Sequence, residues 1–166
     1  MEEAWTTLGQ DEGDLLWERF ADRFDFRPGM RSTTWPAIRE PVPSVTYSLA
    51  PVFEGDFAAG ALAVARLILR VLRATTPPDQ EVIFHDWVHP SARVDPARID
   101  DVTDADDYFP NGDYKVFLWD RQRLGVFGHP WERSLCGFGT EVVAAFKGLN
   151  QGELPTILRE RRDGHR

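Results

Sequence analysis

The 166-residue chain carries 27 acidic against 19 basic side chains, a formal net charge of −8 and a pI near 5.0. That balance argues against a general nucleic-acid binder, which recruits phosphates with a basic patch, and favours solubility or a basic protein partner. The single cysteine, Cys136, excludes an internal disulfide and a four-cysteine zinc knuckle.

Met1 to Trp5 have neither the positive charge nor the apolar run of a secretion signal, so a cytoplasmic location is expected. Asp11 then reads as an N-cap, with Asp14 adding negative charge to the first turn. Leu16, Phe20 and Phe24 recur at helical spacing, widened by Trp17 and Ala21, which predicts a helix over residues 11–26 ended by Pro28 and Gly29. The connector from Arg31 to Pro43 holds three prolines, and its Arg39 and Glu40 read as solvated loop charges, with a contribution to a site as the alternative. Ser44 to Leu49 alternates polar and apolar residues, the pattern of a half-exposed strand.

Asp56 caps a long helix over residues 56–75, whose apolar first half must be covered by other elements. Arg66, Arg70 and Arg73 read as a solvated stripe near its C-terminal end, where cations complement the dipole, with anion binding as the alternative. Only about nine uncharged residues precede Arg66, against the roughly 20 of a membrane span, so no membrane partner is expected. Residues 81–87 predict a buried strand with Val82 and Phe84 on one face and Ile83, His85 and Trp87 on the other. Asp95 to Asp107 is rich in aspartate but lacks the central glycine and closing glutamate of a calcium loop. It reads as a solvated loop or short helix, or as an acidic surface for a basic partner.

From Asn111 to Gly139 the sequence predicts three adjacent strands at 114–120, 124–128 and 134–138. Gly125 and Gly128 mark a bulge or a close backbone approach. Pro130 has no N–H and forces the chain to turn, presenting His129, Trp131 and Glu132 at one corner. That corner suits a ligand or a partner hot spot; alternatively Trp131 caps the core while His129 and Glu132 satisfy backbone groups. The runs N-G-D-Y-K-V-F-L and G-V-F-G-H-P-W-E-R-S-L-C-G-F-G resemble the bacterial family known as domain of unknown function 2716. So do W-E-R-F-A-D-R-F-D-F-R-P-G and W-P-A-I-R-E-P-V-P-S-V-T-Y upstream, and together the resemblance spans roughly Trp5 to Leu149. It implies no activity, because the family carries no established one. The chain departs from the family pattern at Val126, where threonine is expected, and at Gly137, where a β-branched residue is expected.

Thr140 and Glu141 open a last helix over 140–150, packing through Val142, Val143, Phe146 and Leu149 and stopped by Gly148 or Gly152. The tail, with Arg159, Arg161, Arg162 and Arg166, reads as a short fraying helix. The whole is a single α+β domain over 1–166 with a core of 11–150 and a basic tail of 151–166. A mainly antiparallel sheet of about five strands is packed by three helices.

No complete catalytic signature is present. His85, Asp86, His89 and His129 are metal-ligand types, but His85 and His89 on one strand stand about 13 Å apart at roughly 3.3 Å per residue. Only a sharp turn at Val88 to Pro90 would unite them, and no metal or cofactor is expected. Cys136 lies in an apolar strand, as an inert core thiol does. Glu132 with His129, and Asp113 with His85, are the acid–base candidates. Two readings follow: a non-catalytic inhibitor or immunity-type module that binds a basic protein through an acidic face and Trp131; or a small-molecule-binding protein or hydrolase with a pocket of His85, His89, Asp113, Tyr114, His129 and Glu132.

Overall fold

The computed structural model describes residues 3–163; Met1, Glu2 and Arg166, used in the readings of the two ends, lie outside the described residues. Eight strands among the described residues form one sheet: β1 (Trp5–Thr7), β2 (Ser44–Ser48), β3 (Val82–Asp86), β4 (Ala92–Val94), β5 (Lys115–Trp119), β6 (Leu124–His129), β7 (Ser134–Phe138) and β8 (Ile157–Arg161). Their spatial order is β1-β4-β3-β5-β6-β7-β2-β8, and every neighbouring pair is antiparallel. Four helices accompany them: α1 (Gln10–Phe24), α2 (Ala50–Glu54), α3 (Phe57–Thr75) and α4 (Thr140–Leu149). The α+β class holds, while eight strands and four helices replace the expected five and three. β1 and β4 are three residues each, too short to carry a period, and α2 is little more than one turn.

The alternation of side chains along the strands divides the interior into two cores. Phe84, Phe117, Trp119, Val126 and Leu135 face the layer of α2, α3 and α4. Val116, Leu118, Phe127, Cys136 and Phe138 face α1 and the proline-rich connector, where Phe20, Phe24 and Ile38 complete a second core. Because both faces are covered, all five residues of β2 are buried, which corrects the half-exposed strand. Its Thr46 and Ser48 side chains find partners inside the protein. The glycines of β6 and β7 permit this close layering: a Cβ on Gly125 would overlap the Phe138 ring and lie 2.8 Å from the Phe117 carbonyl oxygen. β6 pairs regularly with both neighbours, so close approach and not a bulge explains Gly125 and Gly128.

Several boundaries move for physical reasons. α1 starts after Gly9 without a side-chain cap and stops at Asp25, which takes a left-handed conformation (φ 50°), so Asp11 is not its cap and Pro28 does not end it. Asp56 caps α3 as expected, its carboxylate accepting from the Ala59 N–H at 3.2 Å. α4 runs through Gly148 and ends at Asn150, whose side-chain oxygen accepts from the N–H groups of Gly152 and Leu154. The tail is not a helix: β8 pairs with β2 and forms one edge of the sheet. The arginine stripe of α3 is tied down, Arg66 by Asp101, Arg70 by Glu153 and Arg73 by the Pro96 carbonyl.

Candidate functional site

β3, β5, β6 and β7 bring Asp86, Lys115, His129 and Ser134 to the same end of the sheet by register. The β6–β7 corner is therefore real, but its groups are committed inward. His129 is fully buried, and its Nδ1 accepts from the N–H groups of Trp131 (3.2 Å) and Glu132 (3.1 Å), shaping the turn that Pro130 enforces. An accepting Nδ1 leaves the proton on Nε2, which is buried without a hydrogen-bond partner; the Tyr114 and Trp35 rings lie 4.9 and 5.7 Å from the imidazole. Burial holds the imidazole pKa down to about 4, so it is neutral at physiological pH. Trp131 is half-buried, with its ring 5.3 Å from Tyr114 in an edge-to-face arrangement. Tyr114 is itself buried, its hydroxyl accepting from the Gly29 N–H at 3.0 Å.

Glu132 belongs to an internal ionic cluster that the sequence did not disclose. Arg159 of β8 reaches through the sheet edge to Glu132 at 2.7 Å and to Glu40 at 2.8 Å, and Ser134 donates to Glu132 at 2.6 Å. Burial pushes the Glu132 carboxyl up, but its bonds from Arg159 and Ser134 outweigh that and hold it below the usual range. Glu40, far from a solvated loop charge, is 6% exposed; Thr46 donates to its carboxylate and Arg161 to its backbone oxygen. The available signal was the row of Thr46 and Ser134 on strands buried on both faces, because buried hydroxyls need partners.

His85 sits elsewhere on the α1 face. Its ring stacks on Trp17 at 4.7 Å, its Nδ1 contacts the Ser91 hydroxyl at 2.6 Å, and burial lowers its pKa to about 4. It does not pair with Asp113. The turn after β3 instead carries His89 to Asp86 (3.5 Å) and Asp113 (3.9 Å), with half of the His89 side chain exposed. One ligand atom from each of these three residues lies within 4.8 Å of the others, a spacing open to a cation, although Lys115 already neutralises Asp86 at 2.7 Å. The six residues of the expected pocket thus do not converge. His129, Tyr114 and Glu132 are packed inside one corner, His89 and Asp113 meet on the surface, and His85 lies apart. Cys136 is buried, and burial pushes its thiol up, away from thiolate chemistry.

Around Asp86 and Asp113 the surface is acidic. The Asp107 carboxyl is raised first by partial desolvation and then by Asp104, Asp86 and Asp106, which Lys115 offsets only in part. Beside this cluster Val88 is 74% exposed, next to a left-handed Trp87 (φ 40°).

Among the described residues no helix is long and apolar enough to cross a membrane. The sequence model of the family described as "Protein of unknown function (DUF2716)" matches residues 7–143. The chain is also similar to an uncharacterised protein of Bacillus subtilis (strain 168), YxiI, with 23% identity over 150 residues, 85% of this chain and 91% of that one. No solved structure matches significantly.

Proposed function

The chain belongs to the DUF2716 family, and on that premise we propose that it is a non-catalytic binding module of the inhibitor or immunity type. In this reading it engages a basic protein through the acidic end of the sheet. The observation that carries the reading is the group of Asp104, Asp106 and Asp107 beside Asp86: partial burial first, and then these neighbouring carboxylates, raise the proton affinity of Asp107. Elsewhere Asp101, Glu153, Glu132 and Glu160 each hold a basic partner. Like charges kept together with too little countercharge cost free energy in the isolated protein, and a cationic surface relieves that cost on binding. Exposed Val88 supplies an apolar contact beside the patch, and Trp131 stands at the same end, its indole partly accessible. The non-catalytic part is supported by the commitment of His129 and Glu132 to internal bonds and of Cys136 to the core.

The test uses native-lysate capture by wild type and by Asp104→Asn/Asp106→Asn/Asp107→Asn, in which the new amide at position 104 keeps the ability to cap the turn. A basic protein retained by wild type, released by salt and lost by the triple variant supports the reading. Equal recovery by the variant overturns it. Capture abolished by a chelator moves the role of the cluster to a cation held by Asp86, His89 and Asp113. Loss on Trp131→Ala, with the thermal midpoint checked, adds that side chain to the interface.

A further inference from the structure

We propose that the cleft between α1 and the opposite end of β5 binds a small organic anion with an apolar body. The cleft measures about 480 Å³, within the range of roughly 300–1,000 Å³ of small-molecule sites. Leu16, Ile83 and Leu118 give it an apolar lining, and His85 and Gln122 bring polar groups to it. Five buried side-chain atoms among the described residues lack a hydrogen-bond partner, and two of them, His85 Nε2 and Gln122 Oε1, belong to residues of this one cleft. Buried polar atoms in native proteins are nearly always satisfied, so an unpartnered His85 Nε2 just beneath this cleft points to an occupant; Gln122 Oε1, an acceptor, calls for a donor and is not served by an anion's oxygens. Nδ1 and the Ser91 hydroxyl share a hydrogen bond at 2.6 Å that either tautomer satisfies; in the tautomer in which Ser91 donates, Nε2 carries the proton and is a donor for an acceptor oxygen, and this is the tautomer taken for the bound state.

The rim sets the charge of the ligand. Arg19 and Arg23, four residues apart on α1, and Arg121 on the β5–β6 turn all line the cleft, with no carboxylate partner among the described residues. Of the two acids that line it, Asp120 pairs with Arg123, and Glu81 shares Arg93 with Glu12, so the three arginines of the lining outnumber its acids. The cleft is therefore locally cationic on a protein of net charge −8. The turn that forms its wall holds Asp120, Arg121 and Gln122 at φ values of 50, 56 and 65°, three consecutive left-handed residues without a glycine. Backbone of this kind is costly, and both Arg121 and Gln122 from this turn line the cleft. Nε2 lies beneath the accessible surface, so a ligand reaches it by displacing flexible rim side chains.

The test follows the ring resonances of His85 by nitrogen-15 NMR while 3-phenylpropionate or phenyl phosphate is added, with 3-phenylpropionamide as the uncharged control. The expected result is a saturable shift of the His85 ring with at least one anion and weaker binding of the amide. Arg19→Gln/Arg23→Gln, which removes two exposed guanidinium groups and keeps the core, weakens the anion about tenfold, the loss expected for one charge-assisted contact, and leaves the amide unchanged. The proposal is overturned if neither anion moves the His85 ring, or if the double variant with an unchanged thermal midpoint binds the anions as well as wild type.

Discussion

Arg159 and Glu132, 27 residues apart, meet at 2.7 Å where the last strand crosses the β6–β7 corner, and the same guanidinium holds Glu40. One arginine thus pairs with two carboxylates whose side chains are 10% and 5% exposed. Removing it leaves both charges unpaired in a low-dielectric interior. Arg159→Met is expected to destabilise the fold by about 3 kcal/mol, read as a shift of the urea midpoint, because breaking one side of a buried pair costs far more than the pair contributes. A change within the error of the denaturation curve would contradict the geometry.

The same cluster sets an acid limit. The Glu132 pKa is lower in the folded chain than its ordinary 4.5. Its contribution is therefore complete above about pH 4.5 and lost as the pH falls through the lower folded value. Glu132→Gln should flatten the stability profile in that acidic window and lower the plateau above it.

His85 and His129 act in a higher window. Both have folded pKa values near 4 against 6.5 for an ordinary imidazole, so the unfolded chain binds more protons between those values. Stability should be full above about pH 6.5 and fall on acidification, by up to about 1.4 kcal/mol per pH unit for each ring. NMR titration checks this directly: neither ring should protonate above about pH 5.

Phe20 is fully buried and packs on Trp17, Phe24, Phe26 and Phe127. Phe20→Ala should cost about 3–5 kcal/mol in thermal or chemical denaturation, the range for an aromatic removed from a close-packed core. Leu15→Ala, on the exposed side of the same helix, should stay within about 0.5 kcal/mol.

Gly125→Ala should destabilise by about 1–3 kcal/mol, since the added methyl meets the Phe117 carbonyl oxygen and the Phe138 ring. Phe138→Leu should recover part of that loss in the double variant, whereas purely additive effects would locate the clash on the backbone alone.

The three central strands were legible because apolar alternation and turn residues agreed between Tyr114 and Phe138, and Asp56 was legible as a cap because a long apolar helix follows it. β8 was not. Its Ile157-Leu158-Arg159-Glu160-Arg161 run is too charged to read as a strand, and its meaning lies in Glu40 and Glu132, more than a hundred and nearly thirty residues away. Local periodicity carries no information about such distant charge pairing. His129 was legible as a special position through the following proline, but whether it faced solvent or backbone depended on the β6–β7 register. The acidic run was visible as composition, while the pairing of Asp101 with Arg66 and the crowding of Asp107 required the folded arrangement.

β8 follows every other strand in chain order, and the countercharge for Glu40 and Glu132 arrives only with it. While the chain is being synthesised, the ribosome therefore releases β2, β6 and β7 before the group that makes their polar interior tolerable. Until Arg159 pairs with them, the α1 side of the sheet holds two buried acids without their shared cation.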